Sequence, residues 1–381
     1  MTKADNTVQN LLEKRRSAGL FRSLKKPTDL IDFCSNDYLG LARSATLRQR
    51  IEQAVAGQAT LLNGSTGSRL LAGNSVLAEE LEVGIARFHE AEAALVFNSG
   101  YDANVGLLAS LPQRGDTLLT DELIHASMID GARLSLANRF KFRHNDLADL
   151  ENRLKNATGT VYVAIESVYS MDGDLAPLPD IVALCERYEA ALIVDEAHAT
   201  GVFGPNGGGL VQHFGLAQRV FARVHTFGKA LGVHGAAVVG SAALRDFLIN
   251  FARSFVYSTA LPPHSLLAIR SVYQFLPQSE ALIQRLHALR NYFQQLIQAQ
   301  LPQTEWTSAD SPILGLIVRG NDACRAVATQ LQQAGFDIRP IVSPTVPAGR
   351  ERLRICLHAF NSEQEIERLV QTLQEIMLIH E

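Results

Sequence analysis

Cysteine is scarce in this chain, with four in 381 residues, and Cys34, Cys185, Cys324 and Cys356 form no C-x-x-C pair or other metal-ligand spacing. That excludes a cysteine-based zinc module and a disulfide framework, so we expect no metal and a reducing, cytoplasmic setting. Long hydrophobic runs are also missing. Nothing approaches the ~20 apolar residues of a membrane span, and Met1 to Arg16 is polar, with Asp5 and Glu13 where a signal peptide needs an apolar block. Runs of like charge are absent too, and the formal net charge is -4. That leaves no electrostatic footprint for nucleic acid. What is present is core-forming material, 47% apolar residues over a length that exceeds one compact domain. Two domains and small-molecule chemistry are expected.

Between Ala93 and Ser241, short β-branched apolar runs alternate with helix-like stretches, the pattern of a largely parallel α/β sheet. The strands fall at Ala93–Phe97, Thr117–Thr120, Val161–Glu166, Ala191–Asp195, Arg223–Phe227 and Ala236–Ser241. Upstream, Leu77, Leu81, Ile85 and Phe88 mark an amphipathic helix. Beyond Leu261-Pro262-Pro263 come a long helical region, a strand at Ile313–Val318, a helix at Ala323–Ala334 and a strand at Arg352–Leu357, which predicts a smaller α+β domain. A capping box, Ser362-Glu363-Gln364-Glu365, opens a closing helix that buries Ile366, Leu369, Leu373 and Met377.

Glu166 and Asp195 end two of these strands and Lys229 follows a third by two residues. Their separations, 29 and 34 residues, match the ~30 residues of a strand–helix–strand unit, so right-handed crossovers return all three groups to one edge of the sheet. Open α/β sheets bind ligands at that edge. A structural ion pair is the plainer interpretation of a carboxylate and an amine meeting there. Thr226-Phe227-Gly228-Lys229, however, sets a hydroxyl beside the amine, suited to a phosphate and a carbonyl of one ligand. Asn98-Ser99-Gly100-Tyr101 joins a strand to a helix, where backbone N–H groups cradle phosphate. In Asp195-Glu196-Ala197-His198 the aspartate suits a pyridine nitrogen, and the imidazole reaches toward a ring hydroxyl. These letters also occur in helicases, but the required phosphate loop is missing: the position of its first glycine holds Arg223, and Ala230 follows Lys229. His125 follows a further strand end and suits the face of a planar ring, although a lone histidine is more often a hydrogen-bonded core residue. Arg352 and Arg354, two apart on a strand, share a face from which one guanidinium grips a carboxylate. Arg350 reads as part of a surface salt bridge.

These motifs, with Ser35-Asn36-Asp37-Tyr38-Leu39-Gly40, Gly64-Ser65-Thr66-Gly67-Ser68-Arg69, Glu166 to Asp174 and Pro344-Thr345-Val346-Pro347, resemble the pyridoxal-phosphate-dependent α-oxoamine synthases over nearly the whole chain. The resemblance implies a type I pyridoxal-phosphate transferase fold, α/β, with a large, mostly parallel seven-stranded sheet domain and a smaller C-terminal α+β domain. It implies a homodimer with shared active sites. The expected boundaries are an N-terminal segment, 1–45, packing on the small domain and the dimer partner, a cofactor-binding domain, 46–265, and a small domain, 266–381. The activity implied is decarboxylative condensation of an amino acid with an acyl thioester on pyridoxal 5'-phosphate. Tyr257 to Pro263 and Pro344 to Gly349 point to the branch using L-alanine and a pimeloyl thioester, carried by coenzyme A or acyl carrier protein. Glycine acetyltransferase and 5-aminolevulinate synthase chemistries stay open, as does a non-catalytic regulatory subunit, against which Lys229 argues. In one departure, Val342-Ser343 stand before Pro344 where many members of that branch carry Arg-Pro.

By resemblance, Lys229 holds the cofactor as a Schiff base, Asp195 pairs with the pyridine nitrogen, and His198 and Ser170 lie near the ring hydroxyl. His125 stacks on the ring, and Glu166 belongs to the cofactor set. Gly100, Tyr101 and Thr226 bind phosphate, and Thr259 reaches the partner subunit's phosphate. Asn36 and Arg354 hold the amino-acid carboxylate. Arg22 and Thr345 contact the acyl substrate.

Overall fold

A computed structural model describes residues 1–24, 29–307 and 310–380. Seven strands form the large sheet: β1 (Ala93–Phe97), β2 (Thr117–Asp121), β3 (Asn138–Phe142), β4 (Val161–Glu166), β5 (Ala191–Asp195), β6 (Ala222–Thr226) and β7 (Ala236–Gly240). Their order is β1-β7-β6-β5-β4-β2-β3, and only β7 runs against its neighbours. The central strands are buried on both faces, which explains their unbroken Val/Ile/Leu/Ala runs.

Residue patterning finds six of these seven strands within a residue or so. The exception is β3, Asn-Arg-Phe-Lys-Phe, an edge strand exposed at its first four positions. Only Phe142 enters the core, so no apolar run betrays it, and its Arg and Lys guard a free edge. Strand β6 ends one residue earlier than expected, which puts Lys229 three residues past it rather than two.

The second sheet has three antiparallel strands, β8 (Ile313–Ile317), β9 (Arg339–Ile341) and β10 (Arg352–Cys356), with β10 in the centre. β9 contains Pro340 and is short, hence silent in the sequence pattern. Helix Asn321–Gln333 and the closing helix Glu363–His380 accompany it. The closing helix has the expected box: the Glu365 N–H donates to Ser362 Oγ at 3.1 Å and the Ser362 N–H to Glu365 Oε2 at 2.8 Å. The N-terminal segment joins this half of the chain. Ile31–Asp32 pairs in parallel with Phe336–Asp337, and Arg325 donates to the Gly19 carbonyl. Among the described residues no helix is long and apolar enough to cross a membrane.

One glycine joins the two sheets closely. Gly173 has φ +75°, and a Cβ built on it would lie 2.0 Å from the Ile313 carbonyl oxygen of β8. Gly320 has φ +93° but open space around it. Gly320→Ala should therefore cost only the left-handed backbone penalty of about 1–2 kcal/mol, whereas Gly173→Ala adds a backbone clash and should cost at least ~3 kcal/mol. Chemical denaturation of the two variants compares them directly, and equal losses would contradict the close approach.

Candidate active site

Parallel pairing of β4 with β5 brings Glu166 and Asp195 side by side in register at the carboxyl edge. The β6 residue Thr226 lies on the next strand, and the turn after it, closed by the Val233 N–H on the Phe227 carbonyl, presents Lys229. These residues line a cavity of about 310 Å³ together with Asn36, Gly100, Tyr101 and His125. The crossover spacing thus delivers what it predicts.

Asp195 is buried and its carboxylate is fixed at both oxygens. Oδ1 accepts from the Ala197 N–H at 2.9 Å and Oδ2 from Asn104 Nδ2 at 2.7 Å. Asn104 also reaches Ser127 Oγ at 3.0 Å, and Ser127 lies 2.8 Å from His125 Nδ1, so Asp195 and His125 are held by one bridge. Glu166 is fully enclosed. Burial, with the Asp195 charge beside it, pushes its carboxyl up to about 8, against a backbone bond from His125. It is the neutral member of the pair near pH 7.

Lys229 Nζ is surrounded by protein but open toward the cavity. Burial draws its ammonium down to about 8 despite the opposing charge of Asp195. Nζ lies 2.7 Å from His198 Nε2, whose ring is held well below its ordinary value by burial and by Lys229 itself, and is therefore neutral. His198 Nδ1 meets the Tyr38 hydroxyl at 2.7 Å, Tyr38 donates to Asn36 Oδ1 at 3.1 Å, and Arg354 donates to the same oxygen at 3.0 Å. Arg354 is further fixed by the Ser170 carbonyl at 2.7 Å. A continuous polar chain thus runs from the amine to the guanidinium, across both sheets.

Of the other expected site residues, Gly100 opens helix Gly100–Ser110, capped by Ser99. A Cβ there would strike Thr226 Cγ2 at 2.2 Å, so only glycine keeps the helix end against β6. Tyr101 lines the cavity but its hydroxyl is taken by Asp130 at 2.5 Å. Thr259 lies outside this cavity, its carbonyl accepting from Asn98 Nδ2. Arg22 is exposed and lines neither this cavity nor the larger one beside it. Ser170 and Thr345 line that larger one. Arg352 is bound to Asp172 and lines the larger cavity, whereas Arg354 lines neither and reaches the smaller one only through Asn36.

Sequence reasoning misses Asn104, Ser127 and a role for Tyr38. Asn104 had a signal: it follows Gly100 by four residues and so shares its helix face. Tyr38 had none, because it reaches His198 across 160 residues of chain.

The aminotransferase class I and II family model matches residues 28–373. The chain belongs to that family. Among curated members it is 45% identical over 371 residues to an 8-amino-7-oxononanoate synthase of Emericella nidulans, covering 91% of this chain and 89% of that one. Among solved structures it is similar to a serine palmitoyltransferase from S. paucimobilis with a bound PLP–myriocin aldimine: 25% identity, 98% and 97% coverage, TM-score 0.87. An 8-amino-7-oxononanoate synthase from Francisella tularensis superposes with TM-score 0.78 at 28% identity, covering 92% and 98%. The type I fold inferred for this family from sequence is the fold found.

The cavity fits the family's pyridoxal phosphate. Three buried polar atoms facing this region, Thr226 Oγ1, Asn104 Oδ1 and Glu166 Oε1, have no protein partner, and groups so placed are expected to meet a ligand. The Gly100 helix end beside Thr226 suits a phosphate, and the fixed Asp195 carboxylate suits a protonated pyridine nitrogen.

A larger cavity of about 810 Å³ adjoins the first and shares His125 with it. On its sheet-side wall His144 bridges Asp121 at 3.0 Å and Asp174 at 2.7 Å. Burial opposes the imidazolium, but the two carboxylates outweigh it and raise it to about 10. Because this value lies above the free imidazole's 6.5, the stabilisation is complete below about pH 6.5 and is lost as pH rises through 10. His144→Gln should lower unfolding free energy by about 2–4 kcal/mol at pH 6 and by much less above pH 10. Urea titration at both values measures this, and a pH-independent loss would contradict it.

Proposed function

We propose that this protein condenses L-alanine with a pimeloyl thioester, releasing carbon dioxide and thiol, to give 8-amino-7-oxononanoate, as a pyridoxal-phosphate-dependent acyltransferase of biotin synthesis. The carrier is coenzyme A or acyl carrier protein, the setting is cytoplasmic, and the working form is a homodimer in which Thr259 serves the partner subunit's site. The polar chain from Lys229 through His198, Tyr38 and Asn36 to Arg354, lying beside the fixed Asp195, is the observation that carries this reading.

Bound in the cavity, the cofactor supplies a pyridine ring that takes up the electrons left when the amino-acid Cα gives up a proton or carboxylate. Asp195 would pair with the ring nitrogen, and Asn104 and the Ala197 N–H hold its two oxygens in place. Thr226 Oγ1 and the N–H groups at Gly100 hold the phosphate. Arg354 and Asn36 hold the alanine carboxylate at the far end of the polar chain. That would place Cα near Lys229 Nζ, whose lowered affinity for protons suits it to hold the cofactor and to take the Cα proton. Neutral His198, 2.7 Å from Nζ, would orient the amine through Nε2, with the Tyr38 hydroxyl steadying Nδ1. His125, on the wall between the cavities, lies where the thioester carbonyl arrives and its ring N–H meets developing oxygen charge. Glu166, neutral and anchored by the His125 backbone, keeps that segment in place. The adjoining cavity gives room for an acyl chain longer than acetyl, and Thr345 lines its small-domain wall.

Lys229→Ala should reduce steady-state condensation by at least about 10³-fold and remove the visible absorbance of the holoenzyme. Turnover at the normal rate would sink the assignment. In the unsubstituted protein freed of cofactor, capture of pyridoxal phosphate should accelerate as pH rises through about 8, because the neutral amine attacks. Stopped-flow absorbance reads the midpoint, and one near 10.5, the ordinary lysine value, would contradict the lowered amine. Supplying alanine, glycine or serine against pimeloyl, acetyl and succinyl thioesters, with thiol release as readout, separates this substrate pair from those of glycine acetyltransferase and 5-aminolevulinate synthase.

A further inference from the structure

The cavity of about 810 Å³ opens from His125 and Ser170, beside the reacting centre, and extends along the small domain to Arg350 and Arg352. Its middle is apolar, with Ile124, Ile129, Met171, Trp306 and Val346 on its walls. A tunnel of this composition takes an alkyl chain. Its charged groups decide what the end of that chain carries.

Most of those charges are already matched. Arg352 is buried and bound to Asp172. His144 is clasped between Asp121 and Asp174. Glu122, an anion on the sheet-side wall, accepts only a backbone N–H, that of His144, among the described residues. The small-domain end differs. There Arg350 and Arg319 share one carboxylate, Glu305, one guanidinium on each oxygen. Two guanidiniums share that one carboxylate, and Arg350, which lines the cavity, is 43% exposed and has donors to spare. Arg350 lies two residues before β10, in the turn closed by its own N–H on the Pro347 carbonyl, and four residues before Arg354 along the chain.

We infer that Arg350, seated on the shared Glu305, binds the distal carboxylate of the acyl substrate and so selects an ω-carboxyacyl thioester over a plain alkanoyl one. This rests on the condensation proposed above. It assigns to a residue of apparent surface salt-bridge type the recognition of a dicarboxylic chain. A rim guanidinium closing on a carboxylate gives a charge-assisted hydrogen bond without displacing any buried partner.

The test compares two acyl groups of equal length, pimeloyl and heptanoyl, on coenzyme A and on N-acetylcysteamine, using holoenzyme, alanine and thiol release. The unsubstituted protein should prefer pimeloyl by tenfold or more in kcat/KM on both carriers. Arg350→Gln should erase most of that preference by raising KM for pimeloyl, with kcat and all heptanoyl constants within about twofold, which also shows that the variant is folded. Arg350→Lys should restore part of it. Equal loss on both acyl groups, or no loss on either, overturns the inference. A loss confined to the coenzyme A esters assigns Arg350 to the carrier's phosphates and overturns it as well. If the unsubstituted protein turns over heptanoyl as well as pimeloyl, the inference fails while the α-oxoamine synthase reading stands. No turnover of either acyl group overturns both.

Discussion

The parallel register of β4 with β5 puts two carboxyl groups, Glu166 and Asp195, on adjacent strands about 4.8 Å apart with little water to screen them. Two buried anions at that spacing are not sustainable together. The structure resolves the conflict unevenly. Asp195 receives two N–H donors, whereas Glu166 holds a backbone N–H and is pushed up to about 8. Lys229 then faces a single effective counter-charge and, being buried, drops to about 8 itself. An amine near neutrality beside one fixed carboxylate is the condition for every role given to this cavity. It follows from which strands are neighbours more than from any one residue.

The same edge explains why a neutral histidine pair surrounds the amine. His125 and His198 are both shifted down, first by burial and then by the positive charge of Lys229. Neither competes with Lys229 for a proton near pH 7. Glu196, adjacent in the chain to Asp195, turns to the opposite side and caps Leu210 and Val211 through their N–H groups. Strand alternation thus divides two consecutive acids between chemistry and scaffold.

What could be inferred from residues alone follows the same logic. Crossover spacing depends only on chain length between strands, so Glu166, Asp195 and Lys229 were placeable from local pattern. So was the Gly100 turn, because strand, cap and helix adjoin in sequence. Strand β3 escaped because its side chains face solvent, and β9 because it is three residues with a proline. Tyr38 acts by a contact across 160 residues of chain, for which no periodicity exists, whereas Asn104 shares the helix face of Gly100 one turn before it. Thr259 and Arg22 were assigned by resemblance, and neither enters the cavities formed by this chain alone.

Arg352 and Arg354 show how far a shared face falls short of a shared function. Both lie on β10, two residues apart, and pair in register with Ile317 and Gly315 of β8. Gly315 matters here, since a Cβ on it would crowd Arg352 Cδ at 3.1 Å. Room made by that glycine lets Arg352 lie flat toward Asp172, in the loop whose Gly173 packs on Ile313. Arg352 therefore clamps the large sheet's loop to the small sheet. Arg354 meets only neutral acceptors, the Asn36 side chain, the Ser170 carbonyl and the Cys356 thiol. The two guanidiniums thus differ in which acceptors the opposite elements supply, a fact of tertiary placement that two identical side chains on one strand cannot disclose.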